Sequence, residues 1–203
     1  MAIAAPAAHA ELVLDLTGGG TVFPCGGCGD ASGRTFGWEF TVSSTITVDG
    51  IGVWDEGADG IGPDVLAGLW NDAGTLLASV TIGNGSTSVA SALVAGEWLF
   101  ESIAAQVLNP GTYRVGSVFY NLTPLARVDS LTLSTIPEIS VVRHLVGPGG
   151  ANSGLADPTD TFGNQVYGPT LRLAMPASEP AGLALAAVGL VGLTALRRRA
   201  RVG

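Results

Sequence analysis

Apolar and polar residues alternate in many short segments of this chain. In the clearest segment, residues 38–42, one face carries Trp38, Phe40 and Val42 and the other carries Glu39 and Thr41. A period of two residues is typical of a strand with one buried face. The pattern predicts such a strand here, with Glu39 on its polar face.

A second alternating segment changes phase part-way along. From Thr45 to Trp54, Ile46 and Val48 are in phase, and after Asp49-Gly50 the apolar positions move to Ile51 and Val53. A glycine at a change of phase indicates a turn or a β-bulge that re-aims the strand.

A hairpin is predicted over residues 65–82. The turn residues Asn71-Asp72-Ala73-Gly74 separate the apolar run Val65–Trp70 from a second alternating run. Short Asn/Asp/Gly connections of this kind favour antiparallel hairpins. The second run is predicted to place one set of residues on a common face: Leu76, Ala78, Val80 and Ile82.

Further strands are predicted where β-branched and aromatic residues follow turn signals. They span residues 97–102, 113–120, 128–133, 139–146 and 170–174, whereas the Gly-, Pro-, Asn- and Asp-rich segment 147–169 is predicted as one surface loop. Roughly eight to ten short strands favour an antiparallel, jelly-roll-like β-sandwich. We place this all-β domain at residues 11–174.

The C-terminal segment has a different character. Residues 181–196 form an uncharged apolar run, preceded by Glu179-Pro180 and followed by Arg197, Arg198 and Arg199. A membrane-spanning helix usually needs about 20 residues, so length alone leaves a buried core helix or an interfacial segment open. Proline suits a first helical turn, and clustered arginine is typical of the cytoplasmic flank. These flanks favour a single transmembrane helix over 181–196, within a tail of residues 175–203.

The N-terminus has features of a processing site. Residues 1–10 are small and apolar and end in Ala8-His9-Ala10, the A-x-A pattern that signal peptidase cleaves. The stretch lacks a basic n-region, so it is interpreted as the remnant of a truncated signal peptide, with an unstructured tail as the alternative.

The tail resembles a known sorting signal. Residues 176–181, Pro-Ala-Ser-Glu-Pro-Ala, followed by the apolar run and three arginines, are similar to the PEP-CTERM tail of exopolysaccharide-producing Gram-negative bacteria. That family's Pro-Glu-Pro motif is read by a membrane exosortase; Glu179 and Pro180 match it, and Ser178 replaces the first proline. The resemblance implies export through an inner-membrane intermediate to the cell surface or the extracellular matrix.

The body also resembles an uncharacterised β-sandwich domain of bacterial surface proteins, over about residues 36–174. The resemblance is carried by residues 36–82, where Gly-Val-Trp-Asp precedes an acidic loop and Gly-Leu-Trp-Asn-Asp-Ala-Gly-Thr-Leu-Leu-Ala follows it, and by Asn-Pro-Gly-Thr-Tyr-Arg-Val-Gly-Ser-Val-Phe at 109–119. It implies a β-sandwich fold and a surface location, and it brings no catalytic residues. Together with the tail, it leads us to expect an exported surface or matrix protein associated with exopolysaccharide. The alternative is a secreted carbohydrate-active enzyme that uses carboxylates from separate strands.

The charge distribution excludes one class of partner. The formal net charge is -8, all nine basic residues are Arg, and four of these lie in the last seven residues. An acidic body repels phosphate backbones, so nucleic-acid binding is not expected.

The chain contains one cysteine pair, Cys25 and Cys28. Zinc needs about four ligands, and only His9 and His144 could supplement the pair. A redox centre would sit at a helix N-terminus, whereas this pair lies among glycines. The pair is predicted to form a local disulfide, as suits an exported protein.

Four carboxylates are concentrated between two predicted strands: Asp55, Glu56, Asp59 and Asp64. The spacing does not match an EF-hand, because Gly57 and Leu66 occupy positions that would need acids. The alternatives are a solvated acidic loop and an irregular calcium site; no other cofactor is predicted.

Catalytic signatures are weak. Glu97 and Glu101 share a strand face, but four residues at about 3.3 Å each separate their backbones by roughly 13 Å, beyond the spacings of about 5–9.5 Å in glycosidases. His144 is interpreted as a sheet residue, and the protein as a non-enzyme. Of the tryptophans, Trp38 and Trp98 are predicted in the core, and Trp54 and Trp70, beside the acidic loop, are the candidates for glycan stacking.

Overall fold

The computed structural model describes residues 11–23, 33–120, 126–148 and 154–175. These residues form an all-β, sandwich-like body in which the strands pair antiparallel. The strands, in chain order, are β1 Leu14–Val22, β2 Arg34–Val42, β3 Ile46–Glu56, β4 Val65–Asn71, β5 Leu76–Ile82, β6 Thr87–Ala90, β7 Gly96–Leu108, β8 Gly111–Phe119, β9 Arg127–Thr135, β10 Ile139–Val146, β11 Asp160–Thr161, β12 Val166–Tyr167 and β13 Pro169–Leu173.

The strands form three sheets. A six-stranded sheet has the order β11-β10-β2-β8-β4-β5, a four-stranded sheet the order β13-β3-β7-β6, and a three-stranded sheet the order β1-β9-β12. The two larger sheets are tied by the Trp38 indole on β2, which donates to the carbonyl of Pro169 on β13 at 2.8 Å. The four-stranded and three-stranded sheets are tied by the Trp98 indole on β7, which donates to Asp15 on β1.

The alternation in β2 sets the core of the six-stranded sheet. Trp38, Phe40 and Val42 are all buried, as predicted. Burying an aromatic side chain of this size contributes about 2–3 kcal/mol, so this face is a main source of stability. Glu39 lies on the opposite face, as predicted, but that face is not exposed at this position: only 6 % of Glu39 is accessible, because it is paired with Arg114 and Arg143.

The phase change in β3 is confirmed as a β-bulge. The pairing with β7 shifts register between Val48 and Gly50. Beyond the bulge Ile51 and Val53 are fully buried. The bulge thereby keeps apolar residues in the core along the whole strand.

The β4–β5 hairpin is confirmed, with one difference. Val80 lies opposite Ala67, and Ala78 opposite Leu69, so these residues share the core-facing side. A register shift between Leu69 and Trp70 then moves Leu76 to the other face, where it is 46 % exposed.

The predicted loop 147–169 contains two short strands, β11 and β12. Val166 and Tyr167 of β12 are buried, and β12 pairs with β9. The sequence prediction also missed β1 and β6. In β1 the run Gly18-Gly19-Gly20 interrupts the alternation, and Gly19 and Gly20 have positive φ values of 68° and 73°. Glycine adopts these angles without the usual penalty.

The body's first and last described segments lie side by side. Leu173 donates its backbone N–H to the carbonyl of Glu11 at 2.9 Å, and Val13 donates to Leu171. Residues 11–13 thus cover the outer edge of β13. The chain enters and leaves the body at the same end.

Several predicted features lie outside the described residues. They are residues 1–10, the Cys25 and Cys28 pair, and the tail from residue 176, with Ser178, Glu179, Pro180, Arg197, Arg198 and Arg199. Among the residues described, no helix has the length and apolar character needed to cross a membrane.

Candidate functional site

The acidic loop follows β3 and starts with a buried carboxylate. Asp55 is 2 % exposed and accepts a hydrogen bond from the backbone N–H of Gly60 at 3.0 Å. Burial, and after it the neighbouring carboxylates of Asp59 and Glu97, raise the pKa of Asp55 above its usual value. Its carboxylate therefore closes the turn that begins the loop.

Glu56 has a different partner on the three-stranded sheet. It accepts hydrogen bonds from Arg127 Nε at 2.7 Å and from the Trp54 indole at 2.8 Å. The hydrogen bond from Arg127 is the main reason that the pKa of Glu56 is lowered. Glu56 thus fastens the end of β3 to β9.

The four candidate calcium ligands are not brought together. Asp55 is buried in its own turn, Glu56 is paired with Arg127, and Asp59 and Asp64 are exposed. Across the part of the chain that the structure describes, no three Asp, Glu, His or Cys side chains form a group that could hold a metal ion.

The prediction that Trp54 and Trp70 face a glycan is wrong, because neither ring is available to solvent. Trp54 is fully buried and packs edge-to-face on Trp98, with ring centroids 5.3 Å apart. Trp70 is 4 % exposed and lies over Gly68. Trp38 and Trp98 are buried, as predicted.

Sequence reasoning missed an ion-pair network on the outer face of the six-stranded sheet. Glu39 on β2 lies directly opposite Arg114 on β8, with 3.5 Å between Oε2 and Nη1. It also accepts two hydrogen bonds from Arg143 on β10, each 2.9 Å long. The hydrogen bond from Arg143, with the charges of both guanidinium groups, outweighs burial and lowers the pKa of Glu39.

Residues 154–158, the strap, cover this network. Asp157 accepts two hydrogen bonds from Arg114, at 2.8 and 2.9 Å. Thr35 Oγ1 on β2 donates to the carbonyl of Gly154 and accepts from the N–H of Ala156. The strap thus covers Arg114, whereas Glu39 is buried by its contacts with the guanidinium groups of Arg114 and Arg143.

A row of three glycines leaves room for the strap and for Trp70. Gly37, Gly116 and Gly68 lie opposite one another on β2, β8 and β4. A Cβ at Gly116 would be 3.2 Å from Pro158, and one at Gly68 would be 2.6 Å from the Trp70 ring. The glycines at 37, 68 and 116 were the only sequence signal for this covered face, and their alignment requires the register.

His144 lies on β10, as predicted. Its ring packs edge-to-face against Tyr167, with centroids 4.6 Å apart. Burial lowers the pKa of His144 and raises the pKa of Tyr167 to about 12. Among the described residues, the Nδ1 atom of His144 has no hydrogen-bond partner. The His144 ring thus packs β10 against Tyr167 of β12.

Glu97 and Glu101 also have separate partners. Glu97 accepts a hydrogen bond from Ser88 at 2.7 Å, and Glu101 accepts one from Ser86 at 2.7 Å. Each carboxylate thus supports the segment that leads through β6 to β7.

Two grooves lie at the end of the body where the chain enters and leaves. Their volumes are about 540 and 560 Å³, and both are lined by Glu11 and Pro137. No protein-family model, curated protein or solved structure matches this chain.

The adjacent carboxylates of Asp55 and Glu56 should make contributions to stability that change in opposite directions with pH. Glu56 has a folded-state pKa below its ordinary value of 4.5, so its stabilisation is present above that pH and is lost as the pH falls through the folded-state value. Asp55 has a folded-state pKa above 3.8, so its contribution is present at low pH and is lost as the pH rises through the folded-state value.

We therefore expect Glu56→Gln to lower the free energy of unfolding at about pH 7, and to cost less at about pH 3. The free energy of unfolding of Asp55→Asn, taken relative to that of the wild type, should rise between about pH 3 and pH 7. Urea denaturation at both pH values measures each difference. Equal pH dependence in the two variants would contradict the opposite shifts.

Proposed function

We propose that this chain is an exported cell-surface or extracellular-matrix protein with a non-catalytic, jelly-roll-like body. Its tail, with a transmembrane helix over 181–196, is processed by an exosortase-type membrane enzyme. The protein passes through the inner membrane and is then released or re-anchored outside, in association with exopolysaccharide. The ordered tail, from Ser178-Glu179-Pro180 to the arginines, is the sequence basis of this proposal.

One observation about the body supports it most. The backbone hydrogen bond between Leu173 and Glu11 brings the last strand of the body beside its first described residue, so a tail that begins at residue 175 would leave the body close to where the body starts. A secretory signal and a sorting tail attached there would both approach the membrane from one end. That arrangement lets the body fold outside the membrane while both attachments are in place.

The opposite end of the body would then face away from the membrane. Ala174 pairs with Thr47 at the start of β3, and the acidic loop follows Glu56 at the end of β3. A strand of this length spans roughly 30 Å. The exposed carboxylates of Asp59 and Asp64 would thus lie about that far from the tail.

The roles of the charged side chains support a non-catalytic body. Each of the pairs Glu56–Arg127, Glu39–Arg143 and Asp49–Arg172 joins two strands. Arg114 joins β8 to the strap. These groups fasten sheets and segments together, as suits a structural module.

Sorting can be tested with the full chain behind a secretory signal, in an exopolysaccharide-producing Gram-negative host that has an exosortase. We expect the wild type outside the cell, with a mass short of the tail. Glu179→Ala with Pro180→Ala should remain full length in the membrane fraction. The matched control is Pro137→Ala with Glu138→Ala, an adjacent proline and glutamate within the body, which should be processed normally.

A full-length soluble species in the cytoplasm would contradict the proposal. Normal processing of the Glu179 and Pro180 variant would show that these residues are not the signal. Turnover of a glycan by the secreted body, lost on substitution of two of its acids, would favour the carbohydrate-active enzyme instead.

A further inference from the structure

One asparagine of this chain is followed directly by a glycine. Asn84-Gly85 lies between β5 and β6, and every other asparagine precedes a residue that has a side chain. Glycine has no Cβ to restrict its backbone, so its nitrogen can approach the side-chain amide carbon of the preceding asparagine closely. An Asn-Gly pair is therefore the position at which a side-chain amide is most open to attack by its own main chain.

The structure exposes this pair at the tip of a tight turn. The N–H of Ser86 donates to the carbonyl of Gly83 at 3.0 Å, and Asn84 and Gly85 are the two exposed residues between them. A Cβ at Gly85 would meet no heavy atom within 4 Å beyond its chain neighbours. Hydroxide from the solvent can thus reach the Gly85 nitrogen, and the turn has room to rearrange.

The side chain of Asn84 is held by a backbone donor of the acidic loop. Its Oδ1 accepts a hydrogen bond from the N–H of Ile61 at 2.9 Å. The Ile61 side chain is 2 % exposed and belongs to the core, so this donor is fixed in place. Attack on the amide carbon of Asn84 puts negative charge on Oδ1, and a preorganised N–H at this distance stabilises such a charge. The contact therefore favours the reaction while it attaches the loop to the turn.

Two aspartates are also followed by glycine, and the structure protects both. In Asp59-Gly60 the glycine N–H donates to the Asp55 carboxylate at 3.0 Å, and a nearby negative charge makes that proton harder to remove. Asp49-Gly50 lies inside β3, paired with strands on both sides, and its carboxylate is bonded to Arg172. An ionised carboxylate is also a poor target for a nucleophile. Asn84 is thus the reactive position of this kind in the described body.

We propose that Asn84 is a site of spontaneous modification, at which the Gly85 nitrogen displaces the side-chain amide group as ammonia. In the first step the Gly85 N–H loses its proton to hydroxide and the bond from this nitrogen to Cγ forms. The bond from Cγ to Nδ2 breaks, and Nδ2 takes a proton from water and leaves as ammonia. The product is a cyclic imide.

Water then opens the imide at one of its two carbonyl carbons. The bond from that carbon to the Gly85 nitrogen breaks, the nitrogen regains its proton, and the carbon becomes a carboxylate. Opening at Cγ gives aspartate at position 84. Opening at the main-chain carbonyl carbon gives isoaspartate, in which the main chain runs through the former side chain. Water is the only co-reactant.

The two products differ in their effect on the acidic loop. Aspartate keeps an oxygen where it can accept from Ile61. Isoaspartate makes Oδ1 a carbonyl oxygen of a main chain that is one carbon longer, which displaces it from Ile61. Both products add a negative charge near Asp64, which lies against Gly83. Isoaspartate therefore releases the loop from the turn in copies that have aged. The inference goes beyond the proposed function and does not depend on export.

Incubation of the full chain in a non-ionic detergent at mildly alkaline pH tests the reaction. We expect the peptide that contains Asn84 to lose its side-chain amide while the body remains folded, with isoaspartate and aspartate as products. The rate should rise with pH, because the Gly85 nitrogen must first lose its proton. Asn109 is the internal control, since Pro110 has no N–H and cannot attack it. Asn109 should stay unchanged over the same time.

The matched variant is Gly85→Ala. A Cβ fits at this position and Gly85 lies outside the left-handed region, so the variant should fold. Its Asn84 should react severalfold more slowly, because the methyl group hinders the approach of the nitrogen. Equal rates in variant and wild type would overturn the proposal, since the amide would then be lost by direct hydrolysis. So would a loss that occurs only in urea, because the folded turn would then be protective.

Hydrogen–deuterium exchange measures the effect on the loop. The Ile61 amide should exchange faster in the isoaspartate fraction than in the unmodified wild type. In Asn84→Asp the acceptor keeps its place, so exchange at Ile61 should stay close to that of the wild type. Unchanged exchange at Ile61 in the isoaspartate fraction would refute the release of the loop.

Discussion

Replacing Arg114 with Met is expected to lower the free energy of unfolding by about 3–5 kcal/mol, because it breaks a buried ion pair from one side. The Arg114 side chain is 7 % exposed and bonds Asp157 twice. It also donates to the backbone carbonyls of Asn71 and Asp72, at 3.2 and 3.0 Å. Met retains most of the aliphatic stem, so the loss reports mainly on these polar contacts.

Urea denaturation followed by tryptophan fluorescence measures the change. The control is Arg143→Met, which also removes a partner of Glu39 but from a side chain that is 41 % exposed. Solvent screens this second pair, so about 1 kcal/mol is expected. Equal losses in the two variants would show that burial beneath the strap is not what makes Arg114 important.

Replacing Asp15 with Ala should destabilise the body by about 3 kcal/mol, through donors left without an acceptor. Its carboxylate accepts from the Trp98 indole at 2.8 Å, from Ser91 Oγ at 2.6 Å and from the N–H of Ala92 at 2.8 Å. The Trp98 side chain is fully buried, so its N–H could not turn to water. β1 would lose its side-chain hydrogen bond to β7, and the segment that precedes β7 would keep only one hydrogen bond to β1, from Ser91 to the Leu16 carbonyl.

Asp15→Asn is the matched variant. Its amide oxygen can still accept from Trp98, while its amide nitrogen cannot accept from Ala92. A loss of about 1–2 kcal/mol is therefore expected. Both variants can be measured by thermal and urea unfolding. If Asn were as damaging as Ala, the indole hydrogen bond would not be the dominant contact.

Alternation in the sequence predicted most strands, because a half-buried strand carries apolar residues on one face and polar residues on the other. Trp38, Phe40 and Val42 show this, and so does the change of phase at Gly50, where a bulge keeps the next residues buried. Ile139–Val146 was predicted with the same bounds that the structure has. Such features depend on local order alone.

What alternation could not reveal is what covers a polar face. Glu39 occupies a polar position in its strand, yet it is buried by its ion pairs with Arg114 and with Arg143, which lies 104 positions away. Trp70 has an exposed-face position and is nevertheless buried over Gly68. For the same reason the sequence did not predict how the carboxylates of the acidic loop are arranged. Partners such as Arg127 hold them apart, and only the register of distant strands brings such partners near.

The hydrogen bond between Leu173 and Glu11 has a practical consequence. Because these two residues are backbone neighbours, the segment between them begins and ends at almost the same point in space. A unit of this kind can be grafted into a surface turn of a carrier protein through short linkers, without stretching either host or guest. Joining the two points directly would likewise allow new termini to be opened in the exposed turn at Gly85.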